Sequence, residues 1–404
     1  MSHLEIDGMK MEDGSRRNAI AFFLLGLLNN ACYVIMIAGA PSVSSGSVGL
    51  VFLCAVVPGI LAKASAPYWF HLVSYNVRIL VAALLMSLSF VLVGLGSLRS
   101  IQLLGVLCAA LQSSLGEASC LALSSRFSGD TSRLITFWSS GTGAAGIFGY
   151  AWIAVLHVYM GLSFQTTLLW ALVLPVVWVV CYFQVLKRER QTVEFPMDCD
   201  VLPDDEERDR LVGSNEKSEV TGRMSARERL LFVLDLWPYT IPLFLVYFAE
   251  YAMQSGVWIS IGFPVDEEEA RKLFYTYSNW CYQTGVFVSR STGTLWQAEK
   301  NHLWLMPMLQ ILFLLFFIWI SLYHVWYNWG LLFPAFATGL LGGLTYVNAF
   351  TLISRDIAPS YREFSLAAAS VADSIGVAAA DIVGIVLQGC LYKANKLPGA
   401  DFSC

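Results

Sequence analysis

Long apolar runs recur along the whole chain, separated by short polar stretches. They predict helices near 19–40, 48–70, 78–97, 101–124, 133–158, 166–186, 238–261, 273–292, 302–323, 325–352 and 363–391. Each is close to the roughly 20 residues that carry an α-helix across a bilayer core. One polar segment, Lys187–Leu236, splits these eleven spans six and five. Its Cys199–Arg210 stretch (CDVLPDDEERDR) is too charged to bury a core and predicts a mobile loop. The chain therefore divides into a cytosolic tail (1–18), a first lobe of six helices (19–186), a cytosolic loop (187–237), a second lobe of five (238–391) and a lumenal tail (392–404).

Composition agrees with that pattern. Of 404 residues, 56% are hydrophobic and 14% charged, where a soluble domain carries roughly a quarter charged residues. The expected fold class is all-α, a polytopic membrane protein of about eleven transmembrane helices whose first partner is the lipid bilayer. The net charge of −5 adds little, because charges sit in loops and ends. Met1–Arg17 is polar and the first apolar run is too long for a cleaved signal, so none is expected. The nine cysteines lack metal-ligand spacing and read mostly as small packing residues; Cys390 and Cys404 pair only if both reach an oxidising lumen.

Lysine and arginine set the orientation. With the N-terminus cytosolic, Lys10, Arg16, Arg17, Lys63, Arg78, Arg126, Arg133, Arg290, Lys300, Arg355, Arg362 and the central loop fall inside, against Arg99, Arg271, Lys272, Lys393 and Lys396 outside. An odd number of spans then puts the C-terminus in the lumen. The halves also echo each other. Leu123-Ser124-Ser125-Arg126 followed by Arg133 matches Leu352-Ile353-Ser354-Arg355 followed by Arg362, and Leu115–Ser119 (LGEAS) echoes Leu341–Thr345 (LGGLT). Parallel repeats of this kind build the two lobes of major-facilitator folds, with substrate sites between them near the midplane.

Intramembrane polar residues cluster in both halves. The first contributes Asn29, Asn30, Gln112 and Glu117; the second contributes Glu250, Gln254, Tyr282, Gln283, Tyr346 and Asn348. A charge at mid-membrane costs on the order of 2.5–3.5 kcal/mol. Such groups therefore face the bundle interior, either as interhelical hydrogen-bond partners or as the wall of a substrate path. Read as a path, all of these but Asn29 make the substrate-binding candidates together with Lys63 and Arg290, and Glu117 and Asp373 become the proton-coupling candidates. Lys63 and Arg290 end the second and eighth spans, where they either snorkel to headgroups or form a paired anion-attracting gate. Asp373 and Asp381 lie about 80° apart around their helix, so both can face inward.

Other motifs carry no chemistry. Gly141–Gly146 is a formal G-x-G-x-x-G, but no strand precedes it and no acid follows at the needed distance. Gly143, Gly146 and Gly149 recur at near-helical spacing and predict close helix packing instead. His157 stands alone, and no hydrolase, metalloprotease or P-loop signature occurs, so neither an enzyme nor a nucleic-acid partner nor any cofactor or metal is expected.

Seven segments together resemble the battenin family: Phe22–Tyr33 (FFLLGLLNNACY), Ser113–Glu117 (SSLGE), Trp138–Gly146 (WSSGTGAAG), Val246–Tyr251 (VYFAEY), Tyr282–Ser291 (YQTGVFVSRS), Gly339–Phe350 (GLLGGLTYVNAF) and Arg362–Gly376. The resemblance covers nearly all spans, while the central loop and both tails share little. It implies a lysosomal or vacuolar membrane protein with a major-facilitator-like fold, of a family whose loss in humans causes juvenile neuronal ceroid lipofuscinosis. That family has been tied to export of glycerophosphodiesters from lysosomes, and earlier to lysosomal pH and basic amino-acid transport. Two departures stand out. Asp401–Cys404 (DFSC) is not the prenylation box of some relatives. The central loop carries only an imperfect acidic dileucine, Glu207–Val212 (ERDRLV).

The expected function is therefore a lysosomal transporter that exports a small polar solute, best a glycerophosphodiester, by alternating access. The competing readings are a non-transporting scaffold that meets trafficking partners through its cytosolic loop, and a basic amino-acid transporter.

Overall fold

The apolar runs fold as helices: α1 (His3–Ala38), α2 (Val48–Trp69), α3 (Tyr75–Leu95), α4 (Arg99–Ser124), α5 (Thr131–Ile153), α6 (Phe164–Val185), α7 (Trp237–Ala252), α8 (Glu268–Arg290), α9 (Lys300–Tyr323), α10 (Leu332–Asp356) and α11 (Pro359–Ala394). The computed structural model describes residues 3–38, 48–127, 131–187, 226–293 and 295–398, and no strand occurs among them. The Glu207–Val212 motif, the loop as a docking site for trafficking partners, and the pairing of Cys390 with Cys404 lie outside the described residues. A short helix, Ala226–Asp235, leads into α7 at a bend of 66°.

Local chemistry moves several ends. The sequence predicts the tenth span from residue 325, but α10 starts at Leu332. Asn328 instead accepts a hydrogen bond from the Gly330 amide at 2.7 Å and opens a 3₁₀ turn, Trp329–Leu331. In α6, Pro175 has no amide proton to offer the Ala171 carbonyl, and the helix is interrupted by a turn at 171–172. In α11, Pro359 occupies the first turn, and Ser370, whose hydroxyl donates back to the Ala367 carbonyl at 2.9 Å, divides the span in two.

Seven of these helices are long and apolar enough to cross a membrane, eight with the bent α7 pair, counted over the described residues. The three outside that count are α2, α5 and α8. Of these, α5 and α8 turn polar groups inward: α8 buries Ser278, Asn279, Ser289 and Arg290, and α5 buries Ser139, Ser140 and Thr142, whereas α2 is apolar over Cys54–Ala66. By contrast α3, α6 and α9 present Leu84, Val176, Leu312 and Leu315 outward, more than half exposed, as a lipid-facing surface requires.

Packing repeats between the halves. In the first lobe α1 lies against α5 and α2 against α4; in the second, α7 lies against α11 and α8 against α10. The lobes meet where α2 touches α11 and α5 touches α8. The glycines of α5 face two neighbours rather than one. A Cβ on Gly141 would sit 2.0 Å from the Phe23 carbonyl oxygen of α1, and one on Gly143 would sit 2.9 Å from the Phe287 Cα of α8. Gly146 instead makes room for the Gln283 side chain. One hydrophobic cluster runs from the first lobe into α7, α10 and α11 through Leu243, Phe350, Ile353 and Leu366, while a second holds only second-lobe residues such as Trp258, Phe274 and Phe317.

Candidate functional site

The internal repeat explains the polar centre. In the first lobe, Asn29 of α1 donates to the Ser113 carbonyl at 3.0 Å and accepts from Gln112 at 2.9 Å. Gly116 is small because the Asn29 amide oxygen lies 1.9 Å from where its Cβ would be. In the second lobe, Gly342 faces the Glu250 carboxylate of α7 in the same way, at 2.1 Å. The two L-G motifs are thus the same helix contact, built twice.

The next residue differs, and the difference makes the site. Glu117 follows Gly116, and its carboxylate takes Lys63 of α2 at 2.5 Å and the Tyr346 hydroxyl at 2.7 Å. Lys63, 3% exposed, also pairs with Asp373 of α11 at 3.0 Å and donates to Ser374 at 2.9 Å. In the second lobe Gly343 follows Gly342, and its missing Cβ would meet the Arg290 Cγ at 3.1 Å. No carboxylate stands there. Arg290 of α8 instead donates to the Thr142 hydroxyl at 2.6 Å and the Tyr247 hydroxyl at 2.7 Å, with its guanidinium 4.1 Å from the Tyr346 ring centre. Its Nε is buried without a partner, and among the described residues it forms no ion pair.

These groups wall a cavity of ≈ 140 Å³ between the lobes. Of the residues expected from sequence, Asn30, Lys63, Glu117, Tyr282, Gln283, Arg290, Tyr346 and Asp373 line it. Four do not. Gln112 is fully buried behind Asn29, and Glu250 is buried against Gly342. Asn348 is a structural clip, accepting from the Ala298 amide at 2.7 Å and donating to the Leu344 carbonyl at 2.9 Å. Gln254 faces a second cavity of ≈ 50 Å³, which also reaches Tyr33, Val34, Tyr251 and Gln283 of the first. Sequence reading missed Thr142, Tyr247 and Tyr251 of the main wall. Thr142 sat inside the glycine decoy, and the tyrosines within an apolar run gave no periodic signal.

At the end carrying most basic residues the lobes are fastened. Glu363 of α11 accepts from Arg126 at 3.2 Å and from the Tyr75 hydroxyl, and Ser132 hydrogen-bonds Ser354 at 3.1 Å. Beside them, Asp356 takes Lys300 at 3.3 Å and the Tyr239 hydroxyl at 2.9 Å. His157 lies apart, with Nδ1 2.7 Å from the Leu162 carbonyl oxygen. No group of three or more potential metal ligands occurs among the described residues.

The family model described as CLN3 protein matches residues 20–394. Protein btn1 of Aspergillus fumigatus is 35% identical over 96% of this chain and 90% of its own. Protein BTN1 of Kluyveromyces lactis is 34% identical over 94% and 96%. Among solved structures, the major facilitator superfamily proton:xylose symporter XylE is similar at a TM-score of 0.61 and 12% identity, over 92% of this chain and 88% of that one. The human organic anion transporter MFSD10 is similar at 0.61 and 12%, over 95% and 97%. At such identities these likenesses show the fold, a two-lobed major-facilitator bundle.

Proposed function

The chain belongs to the CLN3 protein family, the battenins, and we propose that it is a lysosomal or vacuolar transporter carrying anionic phosphodiesters, best glycerophosphodiesters, by alternating access. One observation carries this reading: Arg290, buried between the lobes with hydroxyl partners and no carboxylate in salt-bridge contact among the described residues. A guanidinium out of water without a counter-charge draws an anion, and its planar fork suits a phosphodiester better than a lysine does. The contrast with Lys63, which two carboxylates neutralise, makes Arg290 the anion's seat. This replaces a symmetric gate of two basic residues with a single one.

The same architecture supports alternating access. The two lobes are joined by the hydrogen bonds of Glu363 and Ser354 at the basic end, which the distribution of lysine and arginine assigns to the cytosol. Opening there means breaking those bonds while the lobes rock about the central site. Glu117 and Asp373 share one lysine, so a proton arriving at either removes one counter-charge and loosens α4 from α2 or α2 from α11. The proton route therefore passes through this triad.

The test is efflux of a labelled glycerophosphodiester from vesicles containing only the purified protein, with protein levels matched. The parent should move it, and Glu117→Gln should move it with a flattened pH profile. A parent that moves no phosphodiester at any pH gradient would return the chain to the scaffold reading. An unchanged profile in Glu117→Gln would remove the triad from proton coupling.

A further inference from the structure

The second cavity holds a carboxylate that the mechanism above leaves unused. Asp381 of α11 is 5% exposed, and both its oxygens are buried with no hydrogen-bond partner among the described residues. It lines the ≈ 50 Å³ cavity, where no lining residue is basic. Four tyrosines line the same space: Tyr33 of α1, Tyr150 of α5, Tyr251 of α7 and Tyr275 of α8. A buried, unpaired carboxylate is costly to keep unless something of opposite charge visits it. The surroundings say what kind of charge. An alkylammonium group is held by aromatic rings together with one anion, and four aromatic rings and one carboxylate line this space.

We propose that this cavity is a cation subsite for an alkylammonium head group, with Asp381 as its counter-ion and the tyrosines as its wall. It rests on the reading of the main cavity as an anion site, and together they define a zwitterionic cargo, a phosphodiester bearing an ammonium arm. The two cavities share Tyr33, Val34, Tyr251 and Gln283, so they are two parts of one path. Gln254, whose amide nitrogen is buried and unpartnered, lines the same cavity and supplies a donor to the cargo's remaining oxygens.

The experiment has two arms. In the first, choline, a cation without phosphate, is titrated into the purified full-length protein, and thermal stabilisation is read against sodium chloride. The parent should be stabilised saturably by choline. Asp381→Asn, and independently Tyr150→Leu, should raise the half-saturating concentration at least tenfold. Equal responses in parent and variants, no response in the parent, or an Asp381-dependent response to sodium alone would each overturn the subsite. In the second arm, vesicles are loaded with glycerophosphocholine or with glycerophosphoglycerol, which lacks the cation. Asp381→Asn should lose at least tenfold on the first and keep the second. Loss of both would make Asp381 a proton or structural group, and loss of neither would leave it without a role; either overturns the inference. Choline binding through Asp381 in a parent that moves no phosphodiester would sink the transport reading while leaving the subsite standing.

Discussion

Lys63 and Arg290 hold corresponding places in the two lobes, and the structure treats them differently. Lys63 is the centre of a salt-bridged triad, with Glu117 at 2.5 Å and Asp373 at 3.0 Å. Arg290 is held by two hydroxyls and a tyrosine ring. The cause is one position in the repeat: Glu117 follows the packing glycine of α4, whereas Gly343 follows that of α10. The two lobes pack alike, and a carboxylate present in one and missing from the other gives one basic residue two counter-charges and leaves the other with hydroxyl partners. Function in such a bundle lies where the repeat is broken.

The largest effect tests the neutralised side. Lys63→Ala strands two carboxylates in the membrane interior and should destabilise by about 3–5 kcal/mol, the cost of breaking a buried pair. Loss of folded protein on size exclusion would show it. The triple variant Lys63→Met, Glu117→Gln and Asp373→Asn should recover most of that stability, since no charge is left unpaired. Failure of this recovery would mean that Lys63 is held by something other than its two acids.

Next comes the open side. Arg290→Ala should fold at normal abundance and cut phosphodiester efflux roughly 10- to 100-fold, the worth of one charge-assisted pair. Arg290→Lys should fall between, because an ammonium cannot reproduce the fork. If both variants transport at the parent rate, the contrast between the two basic residues carries no function.

A smaller effect separates the two neighbours of α5. Gly141→Ala pushes a methyl onto the Phe23 carbonyl of α1, which cannot move alone, and should cost about 1–3 kcal/mol. Gly146→Ala meets only the end of the Gln283 side chain, which can swing aside, and should cost less. Comparing melting temperatures of the two variants decides the order. The smallest effect is at the lobe fastening. Arg126 and Glu363 are 54% and 34% exposed, so Glu363→Gln should change stability by roughly 0–1 kcal/mol. A larger loss would show that the fastening, and not the core beneath it, holds that end closed.

Much of the architecture was legible in the residues. Apolar runs placed the eleven helices, because the bilayer demands a fixed length of continuous hydrophobic helix. Ends were less legible: Asn328 and Ser370 act through single hydrogen bonds that no hydropathy pattern registers. The main cavity was legible in part. Glu117, Arg290, Tyr346 and Asp373 showed themselves as polar groups where lipid would not tolerate them. The same signal picked out Gln112, Glu250 and Asn348, which are just as polar and serve to pack helices.

Sequence by itself determined the fold class, the two-lobe division and the fact that polar groups must point inward, since these follow from the cost of putting charge or bare backbone into hydrocarbon. What it left undecided was which inward groups meet one another. Lys63 and Asp373 are 310 positions apart, and Arg290 and Thr142 are 148 apart. The packing of α2 on α4 and α11 gives the lysine its two acids, while Arg290 meets only the hydroxyls of Thr142 and Tyr247 and Asp381 meets no hydrogen-bond partner among the described residues. A buried charge takes its meaning from the few ångströms around it, and those neighbours come from both lobes.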